Sequence, residues 1–258
     1  MMRPRILILY ATGTNRDREA AWAVEAAGGE PEIVHVNALR ADPARLHAYQ
    51  MLVLPGGFSY GDSLGAGRLW AVDLRWLFHD ALARFVDEGK PVLGICNGFQ
   101  ALVKSGWLPG PPDNGAPATL TRNASNHFEC RWVSLRPDAG SPCVFTRDLD
   151  EIVDCPVAHG EGRFVPADAA ALQRLVAGKQ VALTYVDRQG GPAAYPHNPN
   201  GSVAGIAGIC NEQGNVLGLM PHPEDHIHQV QHPRWTRGER GRLGLPLFRR
   251  GIDYARQR

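Results

Sequence analysis

The chain has 258 residues, 44% of them hydrophobic and 21% charged, which is length enough for a substantial buried core. Its 27 basic and 26 acidic side chains leave a formal charge of +1, so no general attraction to nucleic acid or to a membrane surface is expected. Five cysteines (Cys96, Cys130, Cys143, Cys155, Cys210) with no CxxC pair argue against a disulfide framework or a zinc site and for a reducing, cytoplasmic setting.

In chain order, RILILY at Arg5–Tyr10 reads as a first buried strand. It is too short for a membrane span and lacks a signal-peptide cleavage pattern. Residues 19–27 have helical character, and residues 32–36 form a second strand candidate. A third, MLVL, lies within residues 46–54 and stops at Pro55-Gly56-Gly57. Residues 76–88 place apolar side chains at helical spacing and end at Gly89. PVLGI at residues 91–95 is a fourth strand, and Asn97–Ser105 begins a helix at once. Strands alternating with helices predict an α/β fold, a mostly parallel central sheet flanked by helices. The Pro/Gly-rich stretch WLPGPPDNGAPA, residues 107–118, reads as a surface loop. The second half is β-rich, with strands expected at residues 130–135, 180–186, 203–211 and 216–220, the last two joined by a hairpin turn at residues 212–215. No repeat, low-complexity tract or linker interrupts the sequence, so residues 1–258 read as a single domain.

Gly94-Ile95-Cys96-Asn97-Gly98 has the form G-x-C-x-G between a strand and a helix. This is the nucleophile-elbow pattern with Cys in place of Ser. The nucleophile sits on a sharp turn, and the flanking glycines allow backbone to approach without a Cβ clash. The positive end of the following helix favours thiolate over thiol. The Asn97 N–H is placed to hold a developing oxyanion. A buried structural cysteine is the plain alternative, and it is the expectation for the other four.

A cysteine nucleophile needs a base, and the base needs a partner that fixes its tautomer. The strand ending Leu219-Met220-Pro221-His222-Pro223-Glu224 offers His222 as base and Glu224 as its partner, in a turn stiffened by two prolines. A metal is the rival, since His222, His226, His228 and His232 cluster with Glu224 and Asp225. Pro223 would interrupt the required helix and no H-E-x-x-H is present, so a solvated His-rich loop is expected and no metal. Pro55-Gly56-Gly57-Phe58-Ser59-Tyr60-Gly61-Asp62 is a tight turn after the third strand. It is not a phosphate loop, because no Gly-Lys-Ser/Thr follows. Residues 234–258 hold eight arginines against Glu239 and Asp253. Trp235, Phe248 and Tyr254 are too sparse for a nucleic-acid footprint, which leaves a solvated helix face or a partner-docking surface.

The blocks PGGFSYGD, GICNGFQ, LTRNASNHFECRWV, HGEGRF, YPHNPNGS and GLMPHPEDHIHQVQHPRW together resemble the glutaminase subunits of phosphoribosylformylglycinamidine synthases. Those belong to the class I, triad glutamine amidotransferases, with a flavodoxin-like fold. The resemblance runs over nearly the whole chain. GICNGFQ and PHPE mark the wider class, and PGGFSYGD, RNxSxxF and HGEGRF mark the purine-pathway member. It implies a Cys96-His222-Glu224 triad, an oxyanion hole around Gly57, Phe58 and Asn97, and a glutamine pocket that includes Gln100. It sets Asn123, Ser125 and the stretch from His159 to Phe164 near the site or a partner. It also implies a thioester intermediate, no cofactor in this chain, and ammonia delivered to a synthetase subunit that uses ATP and Mg, with a small third subunit in the complex. The PPDNGAPAT segment departs from the family pattern by its length. It is expected to lie away from the chemistry, where it could alter docking.

Overall fold

The computed structural model describes residues 3–111 and 117–258, so residues 112–116 of the predicted loop lie outside the described residues. The first half alternates strand and helix: β1 (Arg5–Tyr10), α1 (Asp17–Ala26), β2 (Glu30–His35), α2 (Val36–Ala41), β3 (Met51–Leu54), α3 (Arg68–Val72), α4 (His79–Asp87), β4 (Val92–Ile95) and α5 (Asn97–Ser105). The second half is mostly extended: β5 (Ala118–Thr121), β6 (Glu129–Pro137), β7 (Val153–His159), β8 (Arg163–Pro166), α6 (Ala169–Ala177), β9 (Val181–Val186), β10 (Ile206–Cys210), β11 (Val216–Leu219) and a final α7 (Leu245–Ala255).

Nine strands form one sheet in the order β2-β1-β3-β4-β11-β10-β9-β6-β7. The first five are parallel, and the remaining four pair antiparallel, so the β-rich second half extends the same sheet. β5 and β8 form a separate antiparallel pair. β3, β4 and β11 are buried at every position, the pattern of parallel strands covered on both faces. β7 instead alternates buried and half-buried residues, as expected of a strand with one wetter face.

The elbow needs its glycines for a measurable reason. A Cβ on Gly98 would stand 2.0 Å from the Leu54 carbonyl oxygen, so α5 packs directly on the end of β3. A Cβ on Gly94 would stand 2.5 Å from Leu102 Cδ1. On β11, Gly218 leaves room for the Phe99 ring, 2.0 Å from where a Cβ would sit.

Two expectations need correction. Residues 76–88 are not one helix: a wide turn at Asp73–Leu77 ends at Phe78, and α4 starts at His79. Phe78 is buried and anchors the break, while Trp76 is 73% exposed. The stretch 107–118 is not all surface either, since Trp107, Leu108 and Ala118 are buried and the Leu108 N–H bonds the Leu102 carbonyl at 3.2 Å. All five cysteines are free, and among the described residues no helix is long and apolar enough to cross a membrane.

Gly98→Ala places a methyl against rigid backbone and should destabilise the fold by about 2 kcal/mol or more, read from urea unfolding midpoints.

Candidate active site

In open α/β sheets, ligands bind outside the carboxyl ends of the parallel strands. Here β3 runs into the Pro55–Asp62 turn, β4 into Cys96, and β11 into the turn of His222 and Glu224. The register brings Ile95 beside Leu219, and the Cys96 N–H donates to the Leu219 carbonyl at 2.8 Å. The His222 N–H is anchored at 2.9 Å on the carbonyl of Pro156, in β7.

Cys96 has φ 48° and ψ −100°, a conformation that side chains rarely adopt, and it is 5% exposed. α5 starts at the next residue, so its unsatisfied N–H groups and positive end lie at the sulfur. The Sγ atom lies 3.8 Å from the Ala158 carbonyl oxygen.

His222 Nδ1 and Glu224 Oε1 are 2.6 Å apart, and both residues are buried. A carboxylate only accepts, so Nδ1 carries the proton and Nε2 is left for a partner on the other side of the ring. Nε2 is buried and has no nitrogen or oxygen partner among the described residues; its neighbour is the Cys96 side chain. Burial opposes charge on the ring, but Glu224 and the Cys96 sulfur outweigh it and hold the imidazolium well above the usual histidine range. Gly56 lies against both side chains: a Cβ there would lie 2.6 Å from His222 Cε1 and 3.4 Å from Cys96 Cβ.

The four-histidine cluster does not assemble. Among the described residues, only His222, Glu224 and Asp225 bring three ligand-type atoms within 4.8 Å of one another, and the His222 proton already engages Glu224. His226 turns away: its Nδ1 bonds the Asp154 carbonyl and its ring meets Trp132 edge-on at 4.8 Å. The Asp225 carboxyl is pushed up to about 6 by burial and by neighbouring Glu224.

The oxyanion candidates separate. The Phe58 N–H is committed to the Gly13 carbonyl at 3.3 Å. The N–H groups of Gly57 and Asn97 have no backbone acceptor among the described residues. Gly57 has φ 129°, and a Cβ there would strike the Asn15 nitrogen at 2.5 Å. The Asn97 side chain accepts from the Ser59 N–H at 3.2 Å and donates to Asp62 at 2.9 Å and Gln100 at 3.0 Å, so it pins the turn after β3. Gln100 donates to the Glu161 carbonyl at 2.8 Å, which makes it a strut between α5 and the loop after β7. Gly57, Phe58, Cys96, Gln100, Phe128 and Glu161 line a pocket of about 150 Å³.

The structure also shows what joins three segments that the sequence left without roles. Asn123 donates to the carbonyls of His127 and His159 at 2.9 and 2.8 Å and accepts from the Gly162 N–H at 2.9 Å. His159 Nδ1 lies 3.2 Å from the same Asn123 oxygen, so that nitrogen is the donor, and Nε2 accepts from Asn200 at 3.4 Å. Asn200 also donates to the Tyr185 hydroxyl at 3.1 Å and accepts from Ser202 Oγ at 2.7 Å. Burial first, and then the nearby charge of His222, push His159 down to about 4, so it stays neutral beside His222. Ser125 reaches Glu129 at 2.7 Å rather than the pocket.

A profile of the CobB/CobQ-like glutamine amidotransferase domain matches residues 3–255. The phosphoribosylformylglycinamidine synthase subunit PurQ of Treponema denticola is 48% identical over 269 residues, spanning 98% of this chain and 99% of that protein. The subunit of the same name from Dehalococcoides mccartyi is 44% identical over 261 residues, spanning both chains fully. Among solved structures, PurLQS from Thermotoga maritima superposes with a TM-score of 0.75 at 34% identity, covering 98% of this chain and 99% of that one.

Gly56→Ala forces the His222 ring away from Cys96, and should slow iodoacetamide modification of Cys96 at pH 7 by roughly tenfold, read residue by residue by mass spectrometry. His159 binds its proton less readily folded than unfolded, so stability should fall with pH between about 6.5 and 4. The loss is of the order of 3 kcal/mol, and His159→Gln should flatten that part of the stability profile.

Proposed function

This chain belongs to the CobB/CobQ-like glutamine amidotransferase family, and from that premise we propose that it is the glutamine-hydrolysing subunit of a phosphoribosylformylglycinamidine synthase, acting in purine biosynthesis. The observation that carries the reading is the meeting of Cys96, on its strained turn, with an imidazole held at 2.6 Å by Glu224, at the edge of a pocket suited to one small side chain.

Cys96, His222 and Glu224 are assigned as the triad. The Cys96 thiolate attacks the side-chain amide carbon of glutamine. The Gly57 and Asn97 N–H groups receive the negative charge that develops on the amide oxygen. His222 gives its Nε2 proton to the departing nitrogen, ammonia leaves, and a γ-glutamyl thioester remains on Cys96. Water then attacks the thioester carbon while His222 takes its proton, releasing glutamate and the thiolate. Glu224 holds the ring in the tautomer that both steps require. The neutral, doubly hydrogen-bonded His159 adds no second cation to weaken the His222 imidazolium.

This chain carries no phosphate loop for ATP. We assign that step, with its Mg, to a synthetase subunit that receives the ammonia, and we place a small third subunit in the same complex, in line with a relative solved as PurLQS. Five free cysteines suit a cytoplasmic location.

Cys96→Ser should lower glutamine-dependent product formation by roughly 10³-fold or more, while ammonia-dependent synthesis by the reconstituted complex continues. Undiminished glutamine hydrolysis by that variant would overturn the triad assignment.

A further inference from the structure

Not all of the arginines concentrated near the C-terminus are spread over a solvated face. Three of them, Arg234, Arg240 and Arg242, converge with Arg131 and Arg188 around one concave groove of about 560 Å³. That volume lies within the range of small-molecule sites. The groove lies against the outer strands of the antiparallel half. Asp154, on its wall, is four residues along β7 from Ala158, or about 13 Å at strand rise.

The five guanidinium groups are not equivalent. Arg242 is fixed by two bonds of 2.9 Å to the two oxygens of Asp154. Arg234 is held by Glu239 at 3.0 Å, and Arg131 by Glu129 and the Tyr195 hydroxyl. Arg188 and Arg240 have no carboxylate partner or side-chain hydrogen bond among the described residues. Three positions are therefore held in place by acids, while Arg188 and Arg240 make no ion-pair contact among the described residues, Glu239 on the groove wall being the acid that feels the Arg188 charge. His197 and His232 add two imidazole rings, and Trp132 adds an aromatic wall. Arginine forks match phosphate oxygens two at a time, and a concave cluster of them favours adjacent phosphates over a single isolated charge.

We propose that this groove is a binding site for a small phosphorylated anion carrying a diphosphate, separate from the glutamine pocket. The diphosphate lies between Arg188 and Arg240, with Arg131, Arg234 and Arg242 as the fixed frame. Any organic part of the molecule extends along Trp132 and His232.

Isothermal titration of the full chain at low ionic strength tests this, with inorganic pyrophosphate and ADP as probes. Both should bind one to one, equally well to the natural chain and to Cys96→Ser. The double substitution Arg188→Gln with Arg240→Gln should weaken both by about tenfold or more, since each removes charge-assisted hydrogen bonds. Arg188→Lys with Arg240→Lys should fall between, keeping charge but losing the fork. Both positions are exposed and unpaired, so circular dichroism and glutamine hydrolysis should be unchanged in these variants. Absence of saturable binding, or equal affinity in the Gln double variant, would overturn the proposal. So would one-to-one binding of a glutamate-rich peptide with no binding of pyrophosphate, which would make the groove a docking surface for an acidic protein segment.

Discussion

The pairing of β4 with β11 sets the geometry on which the chemistry rests. Four consecutive residues of each strand are aligned, from Val92 with Val216 to Ile95 with Leu219. Cys96 is one residue past the end of one strand, and His222 is three residues past the end of the other. A slip of one residue would turn every side chain to the opposite face of the sheet. That slip is blocked by Gly218, which must lie under Phe99, and by Gly94, which must lie under Leu102. The separation of Cys96 from His222 is thus a property of the core. The strain at Cys96 persists because a packed strand and a packed helix over-determine the turn between them.

Around this pair, polar groups divide into those that carry charge and those that hold position. His222 and Glu224 form a charged couple in a buried place, where each compensates the other. The network of Asn123, His159, Asn200, Tyr185 and Ser202 is neutral and nearly every member is bonded more than once. A fully satisfied network of this kind rigidifies what it touches. It holds the carbonyls of His159 and Gly160 and the N–H of Gly162, and so braces the His159–Glu161 stretch that forms one wall of the pocket. Asn97 and Gln100 do the same for the opposite wall, tying the turn after β3 to α5 and α5 to Glu161.

Much of this was legible in the residues. The apolar runs of β1, β3, β4 and β11 and the Gly-flanked Cys96 carry local signals strong enough to stand alone, and α5 begins and ends where its sequence predicts. β7 was not legible, because Pro156 in its middle removes a ladder donor and speaks against a strand. The edge position explains why it is tolerated: Pro156 has no N–H to place, and its carbonyl faces His222. The break at Phe78 was hidden because Trp76 and Leu77 mimic the apolar spacing of a helix that their exposure shows they do not join. His159 and its partners come from segments separated by scores of residues with no shared period, so their convergence is a tertiary fact. The arginines near the C-terminus were visible as a count, but their grouping with Arg131 and Arg188 depends on how the last segment folds back on β6 and β7.

That returning segment has a further effect at the rim of the sheet. β7 is an outermost strand, and such strands ordinarily present open main-chain groups to any passing chain. Here the chain closes its own border. The Asp154 N–H donates to the Arg242 carbonyl, the Asp154 carbonyl receives His226, and the Pro156 carbonyl receives His222. At these positions no vacant rung is left for strand addition. A protein that meets this border must therefore read side chains rather than backbone, so its contact with the subunit is a matter of composition and not of generic β-pairing. The same closure that seats His222 guards this side of the molecule against indiscriminate self-association.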